Sequence, residues 1–302
     1  MKNLKYISLL ALLVLVSFSC EDVIDIDADF QEAELVVDAW LTQSSEVQTL
    51  NLTLSQDYFD STPSESIRDA IVTLTNETQG RTFDFEHLNS SVYSWMPQAG
   101  DKLGEVGDEF TLNVSYNDYN YFATTTLAPV ATVDSIGYEF REDDIRGPDG
   151  IYAQFYARDL VGIGNTYWIK TYKNGQFLNK PSEMNLCYDG TFDAGSGTDG
   201  IVFIPPIREF INPVPDELED GEEEQAPYAI GDNIRVEVHS ISNEAHRFLT
   251  IALEQMTNGD NGIFALPVAN SPSNIQAVEA DAPAALGFFN IAAVSALEVV
   301  VQ

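Results

Sequence analysis

Leu50-Asn51-Leu52-Thr53-Leu54-Ser55 alternates apolar and polar side chains at every step. Successive side chains of an extended strand point to opposite faces, so a period of two marks a strand buried on one face only. The signature spreads in both directions from there. Leu35-Val36-Val37 opens a strand upstream. Downstream come Ala70-Ile71-Val72-Thr73-Leu74-Thr75, Thr82-Phe83-Asp84-Phe85, Val92-Tyr93-Ser94-Trp95, Phe110-Thr111-Leu112-Asn113-Val114-Ser115-Tyr116 and a last strand from Tyr121 to Leu127. Turn-forming stretches separate them, Asn76-Glu77-Thr78-Gln79-Gly80 and Gly107-Asp108-Glu109 among them. Short strands with turns and no helical period between them predict an antiparallel β-sandwich over residues 34–130, ended by Pro129.

The remainder, 131–302, reads as a second β-rich domain of less regular pattern. Strands are expected at Ser135–Phe140, Ala153–Ala157, Tyr167–Tyr172, Gly200–Ile204 and Asn233–His239. One segment changes period. Ala245, Phe248, Leu249, Ala252, Leu253 and Met256 recur at steps of three and four. This predicts one amphipathic helix from Asn243 to Met256, capped by Ser242 and stopped by Asn258-Gly259. The tail from Leu286 to Val301 reads as two strands meeting at Ala292-Ala293.

Working outward to the N-terminus, Lys2 and Lys5 precede an apolar run from Ile7 to Phe18, and small Ser19 precedes Cys20. That order is the layout of a secretory signal. The run is shorter than the roughly 20 residues that a spanning helix needs. The cysteine after a small residue points to lipoprotein processing, with residues 1–19 removed and lipid carried on Cys20. Acyl chains bury enough methylene to hold a protein on a membrane without a spanning helix. Residues 20–33, with Glu21, Asp22, Asp25, Asp27 and Asp29, form an acidic tether. An outer-membrane, lipid-anchored, cell-surface location is expected, the alternative for the acids being a plain solvated tether.

The chain carries a formal net charge of −34. Nucleic-acid phosphates demand a basic footprint, so nucleic acid is excluded as a partner, and docking on anionic lipid is disfavoured by the same sign of charge. Residues 213–227 form an acidic loop, with Asp216, Glu217, Glu219, Asp220, Glu222, Glu223 and Glu224. It reads as a solvated excursion, the alternative being an arm for calcium or a partner. Asp189-Gly190-Thr191-Phe192-Asp193 with Asp199-Gly200 suits turns, and its oxygens leave calcium open at 189–200. Cys187, in an apolar-rich strand-like stretch, reads as a buried thiol. His87, His239 and His246 stand in no metal-binding spacing and read as structural.

No motif for nucleophilic, zinc or phosphate chemistry is present. The chain is expected to be non-enzymatic and to carry no cofactor. Tyr116, Tyr119, Tyr121 and Trp168 are the candidate ligand or partner contacts, because exposed aromatic faces bind sugars and anchor interfaces. On alternating strands the same rings also serve as core.

Four stretches carry a family resemblance: Leu35-Val36-Val37-Asp38-Ala39-Trp40-Leu41-Thr42, Ala70-Ile71-Val72-Thr73-Leu74, Val238-His239-Ser240-Ile241-Ser242 with Phe264-Ala265-Leu266-Pro267 and Asn274-Ile275 beyond it, and Ala285-Leu286-Gly287-Phe288-Phe289. With the acidic start after Cys20, they resemble the Bacteroidota lipoproteins of the domain of unknown function family four-two-four-nine. The resemblance implies a transthyretin-like or Ig-like sandwich in the first domain. It also implies a surface or periplasmic lipoprotein that accompanies TonB-dependent outer-membrane receptors, hence a non-catalytic accessory or binding role in nutrient uptake. A structural or assembly lipoprotein is the next expectation and a hydrolase the third.

Overall fold

The computed structural model describes residues 33–56, 60, 62–142, 147–192, 199–215, 226–258 and 269–302. Cys20, the tether up to residue 32, residues 216–225 of the acidic loop and residues 193–198 of the Gly/Asp loop lie outside the described residues. Residues 33–302 form one compact unit.

Its strands are β1 (Leu35–Thr42), β2 (Gln48–Leu54), β3 (Ile71–Asn76), β4 (Arg81–Asn89), β5 (Val92–Trp95), β6 (Glu109–Tyr116), β7 (Tyr119–Thr126), β8 (Val133–Arg141), β9 (Gly150–Ala157), β10 (Thr166–Lys173), β11 (Gln176–Phe177), β12 (Asn185–Tyr188), β13 (Asn233–Ile241), β14 (Gln276–Ala277), β15 (Ala285–Ala292) and β16 (Val294–Val300). The mainly β architecture agrees with the periodicity in the sequence.

Nine strands make the first sheet, in the order β14-β7-β6-β3-β4-β5-β2-β1-β15. Leu50 and Leu52 of β2 point inward at 1% and 0% exposure, beside Val37, Ala39 and Leu41 of β1, Leu74 of β3 and Leu112 of β6. Each such side chain contributes roughly 1.5–3 kcal/mol by leaving water, which is why the period of two fixes the faces. β4 pairs with β3 on one side and with β5 on the other, so the two leaves expected of a sandwich are one continuous sheet. The ends of that sheet approach each other. The Asn274 side chain accepts a hydrogen bond from the Phe289 amide at 2.9 Å and donates to the Phe289 carbonyl at 2.8 Å. Ala128 bridges Ala292 as well, and the sheet nearly closes.

The second sheet runs β11-β10-β13-β16, with β12 also on β10, and β8 and β9 form a separate hairpin. Between them lies a second core of Ala153, Phe155, Tyr167, Ile169, Phe203, Ile234, Val236 and Val238. The expected cut at residue 130 falls where the chain leaves the first sheet. Residues 131–302 do not all stay beyond it, because β14 and β15 return to the first sheet and β16 joins the second. Ala293 alone separates β15 from β16, at the junction expected in the tail.

Two helices occur among the described residues, α1 (Pro205–Glu209) and α2 (Asn243–Thr257). The second is the amphipathic helix expected from the sequence. Ser242 Oγ accepts from the Ala245 amide at 3.0 Å, and Ala245 and Leu249 are buried. The strand expected at Gly200–Ile204 is a correction. Only Val202 bridges Arg158 there, and Pro205 and Pro206 open α1 directly afterwards. Prolines lack the amide that a ladder requires and suit the first turn of a helix. No helix among the described residues is long and apolar enough to cross a membrane.

Candidate functional site

Two places bring chemistry together, a charged seam and a polar cleft. The seam follows from register. Trp168, Lys170 and Tyr172 of β10 face His239, Glu237 and Arg235 of β13, pair by pair, on the side of the second sheet away from its core. Trp40 of β1 meets this face. Its ring lies edge-on to Trp168 at 5.4 Å and stacks on Phe288 at 5.7 Å, with Phe248 of α2 at 6.1 Å. Aromatic pairs at such separations add roughly 0.5–1.5 kcal/mol beyond their burial.

Glu237 accepts from Arg235 Nε at 2.7 Å and contacts His239 Nε2 at 2.8 Å. A carboxylate can only accept, so His239 carries its hydrogen on Nε2. Burial alone would raise the Glu237 pKa, but the His239 and Arg235 hydrogen bonds outweigh it and hold the group at about 2. Burial lowers the pKa of His239 despite the pull of Glu237. Lys170 Nζ sits 4.0 Å above the Trp168 ring, and burial pushes its pKa down to about 8, against the attraction of Glu237 and Asp38.

Lys170 forms an ion pair with neither of those carboxylates. Its charge therefore weighs against the fold below about pH 8, and the cost fades as pH rises toward 10.5, the value of a free side chain. Lys170→Met is expected to raise the unfolding free energy at pH 7 by about 1 kcal/mol, because a similar apolar volume replaces a poorly paired buried ion. Urea unfolding at pH 7 and pH 10 tests this. A loss of stability at pH 7 would show that the cation over Trp168 is net stabilising.

The cleft has a volume of about 680 Å³ and lies between the end of the β6–β7 hairpin and the start of α2. Glu77, Glu109, Thr111, Thr124 and Thr126 line it from the first sheet, and Ser242, Asn243 and Glu244 from the helix, with Gly164 and Asn274 beside them. Buried polar side chains hold these segments in place. Asn290 Oδ1 accepts from the Ser242 amide at 3.1 Å, and Ser240 Oγ donates to the Ala128 carbonyl at 2.8 Å. Hydroxyls, amides and carboxylates share the lining about equally with apolar surface from Phe110, Ala128 and Ile241, and among the described residues it contains no lysine or arginine. Such a lining offers both donors and acceptors of hydrogen bonds.

The four aromatic residues expected as contacts do not line this cleft. Tyr121 is 3% exposed and belongs to the first core, while Tyr116 and Tyr119 pack against that core from partly buried positions. Trp168 is held in the seam. On strands of period two the three tyrosines turn to the core face, which is the structural role that their pattern equally allowed, while Trp168 lies on the outer face of the second sheet. Tyr167, from the same stretch, is buried and its hydroxyl donates to Asp159 Oδ1 at 2.8 Å.

Cys187 is fully buried, and its thiol pKa is pushed up by that burial. His87 contacts the Ser90 carbonyl, and His246 packs edge-on to Tyr188. In the Gly/Asp loop, Asp189 Oδ1 accepts from the Gly164 and Asn165 amides at 2.8 Å, and Asp199 Oδ1 accepts from the Gly162 amide at 2.8 Å. These bonds tie the Gly/Asp loop to the loop that leads into β10.

The cleft was not singled out from the sequence, because its residues come from six separate stretches of the chain. One partial signal existed. Thr111, Thr124 and Thr126 occupy the polar phase of their strands, so their outward direction was readable, though not their neighbours.

The family model described as "Domain of unknown function (DUF4249)" matches residues 21–298. No curated protein matches the chain.

Proposed function

The chain belongs to the DUF4249 family, and from that premise we propose that it is a surface-exposed lipoprotein serving as a non-catalytic accessory of an outer-membrane TonB-dependent nutrient receptor. In this reading Cys20 carries the lipid, and the protein captures a polar ligand beside its receptor. The observation that carries it is the cleft of about 680 Å³, lined by hydroxyl, amide and carboxylate groups. A partner surface is available nearby. Val161 and Ile163, 90% and 82% exposed, are the most exposed large apolar side chains among the described residues, and their loop leads into Gly164 at the cleft. Exposed apolar side chains of this kind suit a protein contact. Two proteins held on one membrane meet at high effective concentration, so a modest interface suffices.

Affinity purification of the tagged lipoprotein from detergent-solubilised outer membranes, at low and high salt, is the test. A TonB-dependent receptor is expected to co-purify, more strongly at low salt because the chain is so acidic. Palmitate labelling is expected in the wild type and lost in Cys20→Ala, and protease added to intact cells is expected to digest the protein. If no receptor co-purifies at either salt and intact cells protect the chain, the accessory role fails and a periplasmic structural role replaces it.

A further inference from the structure

We propose that the cleft and a row of threonines leading away from it form a platform for a saccharide chain that carries no acidic groups. The proposal rests on the reading of the protein as a binding accessory and specifies what the cleft binds. Register builds the row. Thr82 of β4 pairs with Thr75 of β3, Thr75 with Thr111 of β6, and Thr111 with Thr124 of β7. Four adjacent strands thus place a threonine at the same level. All four face away from the core, since Phe83, Leu74, Phe110, Leu112 and Ala123 beside them are buried.

A parallel row follows along the same strands, Asp84, Thr73, Asn113 and Phe122. Thr111 and Thr124 end the first row inside the cleft, where Thr126, Glu109 and Glu77 join them. The hydroxyl-bearing outer face of the sheet therefore runs into a concave end.

The chemistry fits sugars in three ways. Neighbouring strands lie roughly 4.8 Å apart, so the hydroxyls recur at about the length of one sugar unit in an extended chain. Each threonine hydroxyl both donates and accepts, as sugar hydroxyls do, and its methyl group offers apolar contact to a ring face. Charge supplies the selectivity. Glu77, Glu109 and Glu244 line the cleft, with no lysine or arginine among its described lining residues. Arg81, next to Thr82, is engaged with Asp101 through hydrogen bonds of 3.0 and 3.1 Å. A carboxylated polymer would meet uncompensated repulsion there, whereas hydroxyls can donate to the same glutamates.

Cross-strand threonine pairs also stabilise a sheet, so the test must separate folding from binding. Full-length protein in detergent would be run on native gels containing dextran, xylan, galactomannan or alginate. Retardation by at least one of the three neutral polymers and none by alginate is expected. Thr111→Val with Thr124→Val keeps the branched shape and removes two hydroxyls. It is expected to weaken binding at least tenfold with the unfolding midpoint unchanged. If the pair lowers the midpoint, Thr124→Val alone, on an exposed position, gives the same readout. No retardation by any neutral polymer, retardation by alginate, or equal binding by a folded variant overturns the platform. Receptor co-purification is scored independently, so sugar binding can fail while the accessory role stands, and the reverse.

Discussion

Gly287→Ala is expected to cost at least about 4 kcal/mol of stability, enough to leave a domain of ordinary stability partly unfolded. Gly287 sits in β15 with φ +92°, in the left-handed region that side chains rarely adopt. It is registered against Val37 in the parallel pairing of β1 with β15. A Cβ there would lie 2.0 Å from the Val37 carbonyl oxygen and 2.8 Å from its carbon. Main-chain atoms cannot swing aside as a side chain would, so the ladder itself must open. That ladder is what returns the C-terminal segment to the first sheet, and its loss would uncover Phe289 and Ile291. Gly80→Ala is the control, since Gly80 has φ +66° and nothing within 4 Å of the added carbon. It should cost only the strain of the conformation, roughly 1–2 kcal/mol. Urea unfolding of both variants decides the matter, and equal losses would show that the contact with Val37 is not what requires glycine.

Glu237→Gln comes next in size, with an expected loss of about 2–3 kcal/mol at pH 7. Glu237 is 12% exposed in its side chain and holds Arg235 and His239. The amide keeps the shape but removes the charge that pairs with Arg235 and leaves His239 with a weaker acceptor, and breaking a buried pair costs about 3–5 kcal/mol when no water can compensate. Arg235 is 39% exposed and can be rehydrated, which places the expected loss lower. The pH dependence has a definite sign. Glu237 has a folded pKa of about 2, below the 4.5 of a free side chain, so its contribution is whole above pH 4.5 and is lost as pH falls toward 2. His239 is also lowered in the fold, from 6.5, so acid begins to destabilise the chain below that value. The wild type should therefore lose stability progressively from about pH 6.5 down to pH 2. The variant should show a shallower decline between pH 4.5 and 2. Denaturation midpoints measured across that range test it, and parallel curves would mean that Glu237 is not the group responsible.

Much of the fold was legible in the sequence because it follows from local physics. Leu50, Leu52, Leu74 and Leu112 announced their strands through alternation, and hydrophobic burial then fixed which face turned inward. Ser242 announced α2, because an N-cap needs only its own side chain and the amide three residues on. The junction at Ala292-Ala293 was readable for the same reason. Pro205 and Pro206 could have corrected the strand expected before them, since the missing amides are a local property too.

What remained hidden depended on pairing between distant segments. No local signal sends β15 back to lie parallel to β1, and only that return explains why Gly287 must be glycine. Tyr121 and Trp168 looked alike as aromatic residues on strands. The sheet's closure buried one in a core and set the other against Trp40, 128 positions away in the chain. Arg235, Glu237 and His239 shared a face by sequence alone, and their mutual hydrogen bonds shift Arg235 and Glu237, but the lowered pKa of His239 comes from the layer that covers it. The cleft is the fullest case. The sequence determined that Thr82, Thr75, Thr111 and Thr124 would face outward, because their neighbours are apolar. Only the tertiary structure placed them in one row ending at the start of α2, because strand register is set by contacts between chain segments and not within any one of them.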